Sequence, residues 1–240
     1  MSDEDDREHQ QAFVFYCEQR AKEYRRLFDT EEPKGQILLP PTDLSLFAWP
    51  GGGVYQFPPR RSRKLQHWHY VTEAVSQPRR PAEAIKNGYP NYAFELVLST
   101  AEQCNWAPNV LMNLARYYFG PKGRPFYHDQ CIPCGGPLVI GWDTKLTHLI
   151  TLTAREYNSV IQLPGGECSL VHLVGVAKDE VKPAFEIDKP GEGIQALSRV
   201  LYNHGIGSCS LPERPSLADA PGFLDEWKAE LEAVRAGNGE

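Results

Sequence analysis

Phe13, Tyr16, Cys17, Tyr24, Leu27 and Phe28 recur at spacings of three, four and seven, so the chain opens with a helix that has one apolar face and one face in water. Pro33 and Gly35 follow within two turns and end it near Asp29. Residues 37–64 hold Pro40, Pro41, Pro50, Pro58, Pro59 and the Gly51-Gly52-Gly53 triplet, which break both periodicities. This region reads as ordered loop with short strands, anchored by Leu46, Phe47, Trp49, Val54 and Tyr55. Aromatic and β-branched clusters predict strands at 65–72 and 92–99, joined by a long basic linker over 77–91. Val110, Leu111, Leu114 and Tyr118 then switch to helical spacing over 107–119, and Gly120-Pro121 stops that helix. Further strands are expected at 137–142, 146–153, 158–163 and 169–177. Two last helices are read from Ile194, Leu197 and Leu201, ending at Asn203 or Gly205, and from Phe223, Trp227, Leu231 and Val234. Strands gathered in the middle, with helices before, between and after them, predict an α+β fold: a central mixed or antiparallel sheet flanked by helices.

Composition narrows the class without changing that picture. The 240 residues are 41% hydrophobic and 23% charged, ordinary globular values, while 20 Gly and 20 Pro exclude an all-helical bundle. With 25 basic against 31 acidic residues the net charge is -6, which gives no general attraction to nucleic acid or anionic lipid. No apolar run approaches a membrane span. Asp3, Glu4, Asp5, Asp6 and Glu8 stand where a secretory signal carries positive charge, so a cytoplasmic location is expected. Six scattered cysteines in a chain this size read as buried thiols or one local site rather than a disulfide framework.

Several residues invite chemistry. His67 and His69, two apart on a strand, share a face as metal ligands would, yet no third ligand lies nearby and a hydrogen-bonded structural role fits better. Cys131-x-x-Cys134 with His128 is the sharpest local signal, but a zinc knuckle needs a second pair, so no metal or cofactor is assigned and these three stay candidates only. Glu95 interrupts an apolar strand and must be partnered or face solvent. The glycine triplet lacks the Lys-Ser/Thr of a phosphate cradle, and Ser208 follows a helix, the reverse of a nucleophile elbow. Arg60, Arg61, Arg63 and Lys64 precede one strand and Arg79 and Arg80 follow it, a candidate positive patch for an acidic protein partner or else a solvated charge run.

His67-Trp68-His69-Tyr70, followed by Gly88-Tyr89-Pro90-Asn91-Tyr92-Ala93-Phe94-Glu95-Leu96, resembles the Suppressor of Fused (SUFU) family. Later blocks resemble it in the same order: Leu114 to Phe119, His148 to Thr153, and Val171 to Val176 running into Lys178-Asp179-Glu180. On that resemblance His67, Trp68, His69, Tyr70, Gly88, Phe94, Glu95 and Leu96 are family-motif structural residues. Residues 37–213 form the domain, 1–36 an acidic amphipathic helix and linker, and 214–240 a C-terminal helix and tail. The resemblance implies a non-enzymatic protein-binding module. Animal two-domain members restrain transcription factors by holding a peptide as an added strand. Bacterial single-domain members, which this chain resembles, are linked to immunity against polymorphic toxins. A cognate toxin is therefore the expected partner. The alternatives are a regulator sequestering a native partner such as a transcription factor, and a zinc or thiol enzyme centred on Cys131 and Cys134. No nucleic-acid or membrane partner is expected, and the oligomeric state is open.

Overall fold

The computed structural model describes residues 3–28, 33, 35–38, 53–60, 66–73, 75–76, 93–120, 122–164 and 166–237. In chain order these form helix α1 (Asp3–Phe28), strands β1 (Gly35–Leu38), β2 (Gly53–Phe57), β3 (Trp68–Glu73) and β4 (Ala93–Thr100), and helix α2 (Trp106–Phe119). Strands β5 (Cys131–Pro133), β6 (Leu146–Leu152), β7 (Val160–Leu163) and β8 (Gly166–Ala177) follow. Helices α3 (Lys178–Phe185) and α4 (Pro190–Asn203), strand β9 (Cys209–Ser210) and helix α5 (Phe223–Gly237) complete the order. One mixed sheet runs β1-β2-β3-β4-β8-β6-β5, with β7 paired to the start of β8 and β9 to the end of β4. The β4–β8 and β4–β9 pairs are parallel and the others antiparallel. The expected α+β architecture is the one found.

Alternation along β4 decides what covers the sheet. Phe94, Leu96 and Leu98 face α2, whose Ala107, Leu111, Ala115 and Tyr118 fall three or four apart and so share a face. Phe94 meets the Tyr118 ring edge-on at 4.9 Å. Val97 points the other way, into a cluster with Tyr16, Tyr24, Leu27 and Phe28 of α1. Phe28 stacks on Phe57 of β2 at 4.6 Å, and burying such a ring stabilises by roughly 2–3 kcal/mol. Further along that face, Val174 and Val176 of β8 pack under α3, α4 and α5. There Gly193 permits a close crossing, since a Cβ on it would stand 2.7 Å from Ala184.

Glu95 lies on the α1 side of β4 and is fully buried. Its carboxylate accepts bonds from Ser76 N–H (3.0 Å) and Oγ (2.5 Å), Thr72 Oγ1 (2.6 Å), Val75 N–H (3.3 Å) and Arg20 Nη1 (3.4 Å). Burial pushes the carboxyl above the usual range, and Arg20, Ser76 and Thr72 pull against it. The Thr72 hydroxyl also accepts the Leu96 N–H at 2.8 Å, replacing a ladder bond where β3 and β4 part. Arg20 is itself completely buried and stands 3.6 Å from Glu73. Of the two options the sequence left for Glu95 the structure takes the partnered one, with the charged partner from α1 and the neutral donors from Thr72, Val75 and Ser76.

One expectation fails and one element went unread. Residues 137–142 form a turn, not a strand: Pro137 has no N–H to give a ladder, Gly141 adopts φ 84°, and Trp142 N–H bonds Val139 O at 3.2 Å. The strand of this region is instead Cys131–Pro133. A helix at Lys178–Phe185 went unread, because eight residues with Pro183 inside give little periodicity. Its Glu180 reaches back to the Ala177 N–H (2.8 Å) and takes a two-pronged pair from Arg214, with Nη2 at 2.8 Å. Leu46, Phe47 and Trp49 lie outside the described residues.

Because Arg20 is the cation beside a buried carboxylate, Arg20→Met should lower stability by about 3–5 kcal/mol. Arg20→Met combined with Glu95→Gln should recover part of that loss. Urea unfolding of the three proteins is the measurement; a single Arg20→Met that unfolds like the parent would remove the pair from the core account.

Candidate functional site

β5 ends the sheet, and its outer side carries no strand among the described residues. Cys134 N–H bonds Thr147 O (3.0 Å) and Thr151 N–H bonds Gln130 O (2.9 Å). Antiparallel alternation then turns Gln130, Ile132 and Cys134 toward β6 and the backbone of Cys131 and Pro133 outward. Pro133 has no N–H to offer, so the edge presents the N–H and carbonyl of Cys131 and the carbonyl of Pro133. The loop before β5 is held firmly. Thr151 Oγ1 donates to Tyr127 O (2.7 Å) and accepts the Gln130 N–H (2.8 Å), while Gln195 Nε2 donates to Asp129 Oδ2 (2.7 Å).

The two faces of β5 belong to different layers. Ile132 packs with the α2 core and Cys131 with the α3–α5 core. Both layers overhang the strand, giving a cleft of about 1260 Å³ along the edge. Leu114 and Tyr117 of α2 line one wall; Phe185 of α3 with Pro190 and Ile194 of α4 line the other; Ile140 also lines the cleft. Four lining side chains, Tyr117, Tyr127, Ile140 and Phe185, are large, apolar or aromatic, and exposed. Such a concentration on one cleft marks an interaction surface.

The residues expected from sequence fall in three places. Trp68, Tyr70, Phe94 and Leu96 lie on the α2 side of paired strands β3 and β4, Tyr70 and Leu96 fully buried and Trp68 half-buried. Tyr70 Oη accepts the Cys104 N–H at 2.7 Å and so ties β3 to the start of α2. His69 lies on the other side, with Nδ1 2.7 Å from Ser99 Oγ and its ring edge-on to Tyr157. Burial holds its pKa well below 6.5, with His172 and His67 adding to the shift, and His67 sits half-buried just before β3. The His69 contacts are all made within the core. Arg60 is half-buried, while Arg61, Arg63, Lys64, Arg79, Arg80 and Gly88 lie outside the described residues.

Cys131 and Cys134 line the cleft and His128 is half-buried beside it. Among the described residues no three His, Cys, Asp or Glu side chains are grouped to hold a metal ion. Burial pushes the Cys131 thiol up to about 12 and Cys134 up to about 11, away from the thiolate that a nucleophile uses. The cleft thus offers shape, apolar walls and a short row of backbone groups. Sequence reasoning missed it as a site, since its walls come from four separate segments; the one local cue was aromatic residues at Tyr117, Tyr127 and Phe185 on otherwise polar faces.

The chain is thus an α+β domain whose sheet has an open edge between two overhanging helical layers. The Suppressor of fused protein family matches residues 49–214, and the chain belongs to it, a family of protein-interaction domains. No curated protein matches the sequence. Solved structures share the fold, among them the following three. The Sufu–Fu complex structure is 19% identical with a TM-score of 0.65, covering 88% of this chain and 96% of the other. Drosophila Suppressor of Fused is 20% identical with a TM-score of 0.67, covering 91% of this chain, which spans 55% of that protein. A SUFU homologue from Neisseria gonorrhoeae is 13% identical with a TM-score of 0.59, over 84% and 96% of the two chains. Among the described residues no helix is long and apolar enough to cross a membrane.

One family block carries a measurable consequence. His172 Nε2 donates to Ser208 O (2.8 Å), so Nδ1 accepts from Tyr157 Oη–H and the buried ring is neutral. Burial lowers its pKa from 6.5 to about 4, with Glu156 opposing and His67 adding to the shift. A depressed folded-state pKa means the unfolded chain takes up the proton first. The stabilisation is complete above pH 6.5 and lost as pH falls toward 4, up to about 3 kcal/mol. Thermal midpoints should therefore fall between pH 6.5 and 4.5, and His172→Gln should fall less steeply over that window; parallel curves would show that His172 does not titrate on unfolding.

Proposed function

We propose that this chain binds a protein partner by taking one of its strands onto β5, and that it acts as an immunity protein neutralising a cognate toxin. The open β5 edge lying in an apolar cleft carries the first part. A sheet edge supplies main-chain hydrogen bonds, and flanking pockets on both faces select alternate side chains of the added strand. With so few outward groups on β5, the side-chain pockets must supply most of the affinity. Membership of a protein-interaction family supports a protein as the partner, and the fold is shared with the Sufu–Fu complex structure. The immunity role rests on the sequence's likeness to bacterial single-domain members. The raised thiols of Cys131 and Cys134 favour binding over thiol chemistry. Arg60, Arg61, Arg63, Lys64, Arg79 and Arg80 are proposed as a second contact that steers an acidic surface of the partner toward the chain.

Co-expression with the protein encoded by the neighbouring gene should restore growth that this neighbour alone suppresses, and the two should co-purify. Tyr117→Ala and Phe185→Ala, whose side chains are exposed, should each weaken the complex about tenfold or more, the size of a hot-spot loss, with unchanged unfolding curves. Full affinity in both variants would place the interface away from β5.

A further inference from the structure

The cleft does not end at Ile140. A second hollow of about 660 Å³ lies beyond it, where β4 and β9 end and α2 begins. The two share Val110, Asn113, Leu138 and Ile140, so that wall is a ridge within one continuous surface. Ile140 is 93% exposed at its crest and Trp142, on the second hollow, is 49% exposed. The ridge is built into the fold. Leu138 N–H bonds Leu146 O (2.7 Å), Trp142 N–H bonds Val139 O (3.2 Å), and Thr144 Oγ1 donates to Pro212 O (2.6 Å). An isoleucine held in water on a fixed turn costs free energy that a bound chain would recover.

The chemistry of the second hollow differs from that of the first. Trp106 and Trp142 give it aromatic surface, and among the described residues its charged lining is Glu102 and Glu213, both exposed. No lysine, arginine or histidine lines it among the described residues. Carboxylates beside indole rings select a cation on an apolar stem, a lysine or above all an arginine, by charge and by stacking. We infer that the partner's strand continues past Ile140 into a segment that places a basic side chain, flanked by apolar residues, in the hollow of Glu102, Glu213 and Trp142. This rests on the strand-addition reading and adds the chemistry of the partner. The partner would then be bipolar, basic beside its added strand and acidic where it meets the proposed arginine patch.

Selection of a phage-displayed random peptide library on the full chain tests it, with the double variant Glu102→Gln/Glu213→Gln selected in parallel. Peptides enriched on the parent should join an apolar, β-branched stretch to a lysine or arginine at a constant offset. On the double variant the apolar stretch should persist without the basic preference. A synthetic peptide of the enriched sequence should bind the parent roughly three- to tenfold tighter than the double variant at low salt, the range of one or two exposed ion pairs. High salt should close that gap. Apolar peptides without a basic preference, or one that survives both substitutions, would overturn this inference and leave strand addition standing. Failure to enrich any peptide, or enriched peptides indifferent to Tyr117→Ala and Phe185→Ala, would overturn strand addition and this inference with it.

Discussion

A carboxylate in the middle of the central strand of a sheet must find its partners inside the protein, and Glu95 sets that condition for this fold. Its donors come from three directions: Thr72 on β3, the Val75 and Ser76 backbone beyond β3, and Arg20 on α1. Neighbouring bonds close the same ring. Tyr24 Oη donates to Thr72 O (3.0 Å) and Tyr55 Oη to Glu73 Oε1 (2.9 Å). A buried ion pair adds little net stability over an apolar substitute, but one left half-made is costly, so the network discriminates against misplacing α1. The helix lies before residue 49, where the family match begins, and yet it completes the core over β2, β3 and β4.

A second polar seam divides the same face. Along β8, Leu170 packs under α1 and Val174 under α3–α5, and His172 stands between them. Its partners Tyr157 and Ser208 come from the loop before β7 and the loop before β9, so one neutral ring joins the edges of two apolar clusters. Glu156 accepts from Ser208 Oγ (2.9 Å) and Tyr202 Oη (3.1 Å), which extends the seam toward the surface. α3 follows β8 directly and is tied to it through the Ala177 N–H to Glu180 bond. Paired donors and acceptors at the boundary add to that tie.

How far the sequence disclosed this depended on the range of each signal. α2 and β4 were legible because their periodicities are local and long: Leu111, Ala115 and Tyr118 on one, Phe94, Leu96 and Leu98 on the other. The family blocks were legible for the same reason, as contiguous strings on β3, β4, α2, β6 and β8. Glu95's need for a partner could be read, but not Arg20's identity, since 75 residues separate them. β5 has three residues, one of them proline, and α3 has eight with Pro183 inside; neither is long enough for periodicity to outweigh turn chemistry. Reading a strand at 137–142 followed the apolar run Leu138-Val139-Ile140 and overlooked Pro137 and Gly141 on either side of it. The cleft had no signature because it is a relation between segments. Val110 and Ile194 line it from opposite layers, and only the strand order brings both to β5.

That strand order also explains how an open edge is tolerated. An unpaired edge invites other chains, and proteins blunt it with short strands and proline. β5 uses both, and two copies cannot pair along three residues that include Pro133 to much advantage. The overhanging layers add a steric condition, because an incoming strand must fit between α2 on one side and α3 with α4 on the other. A strand in that slot sends alternate side chains to opposite walls, toward Leu114 and Tyr117 or toward Phe185 and Ile194. In the proposed mode the few backbone bonds would fix register and direction, and the walls would read the side chains. The same shortness of β5 that weakens non-specific edge pairing would thus, for the proposed added strand, transfer the energy of recognition to those walls, where sequence discrimination is possible.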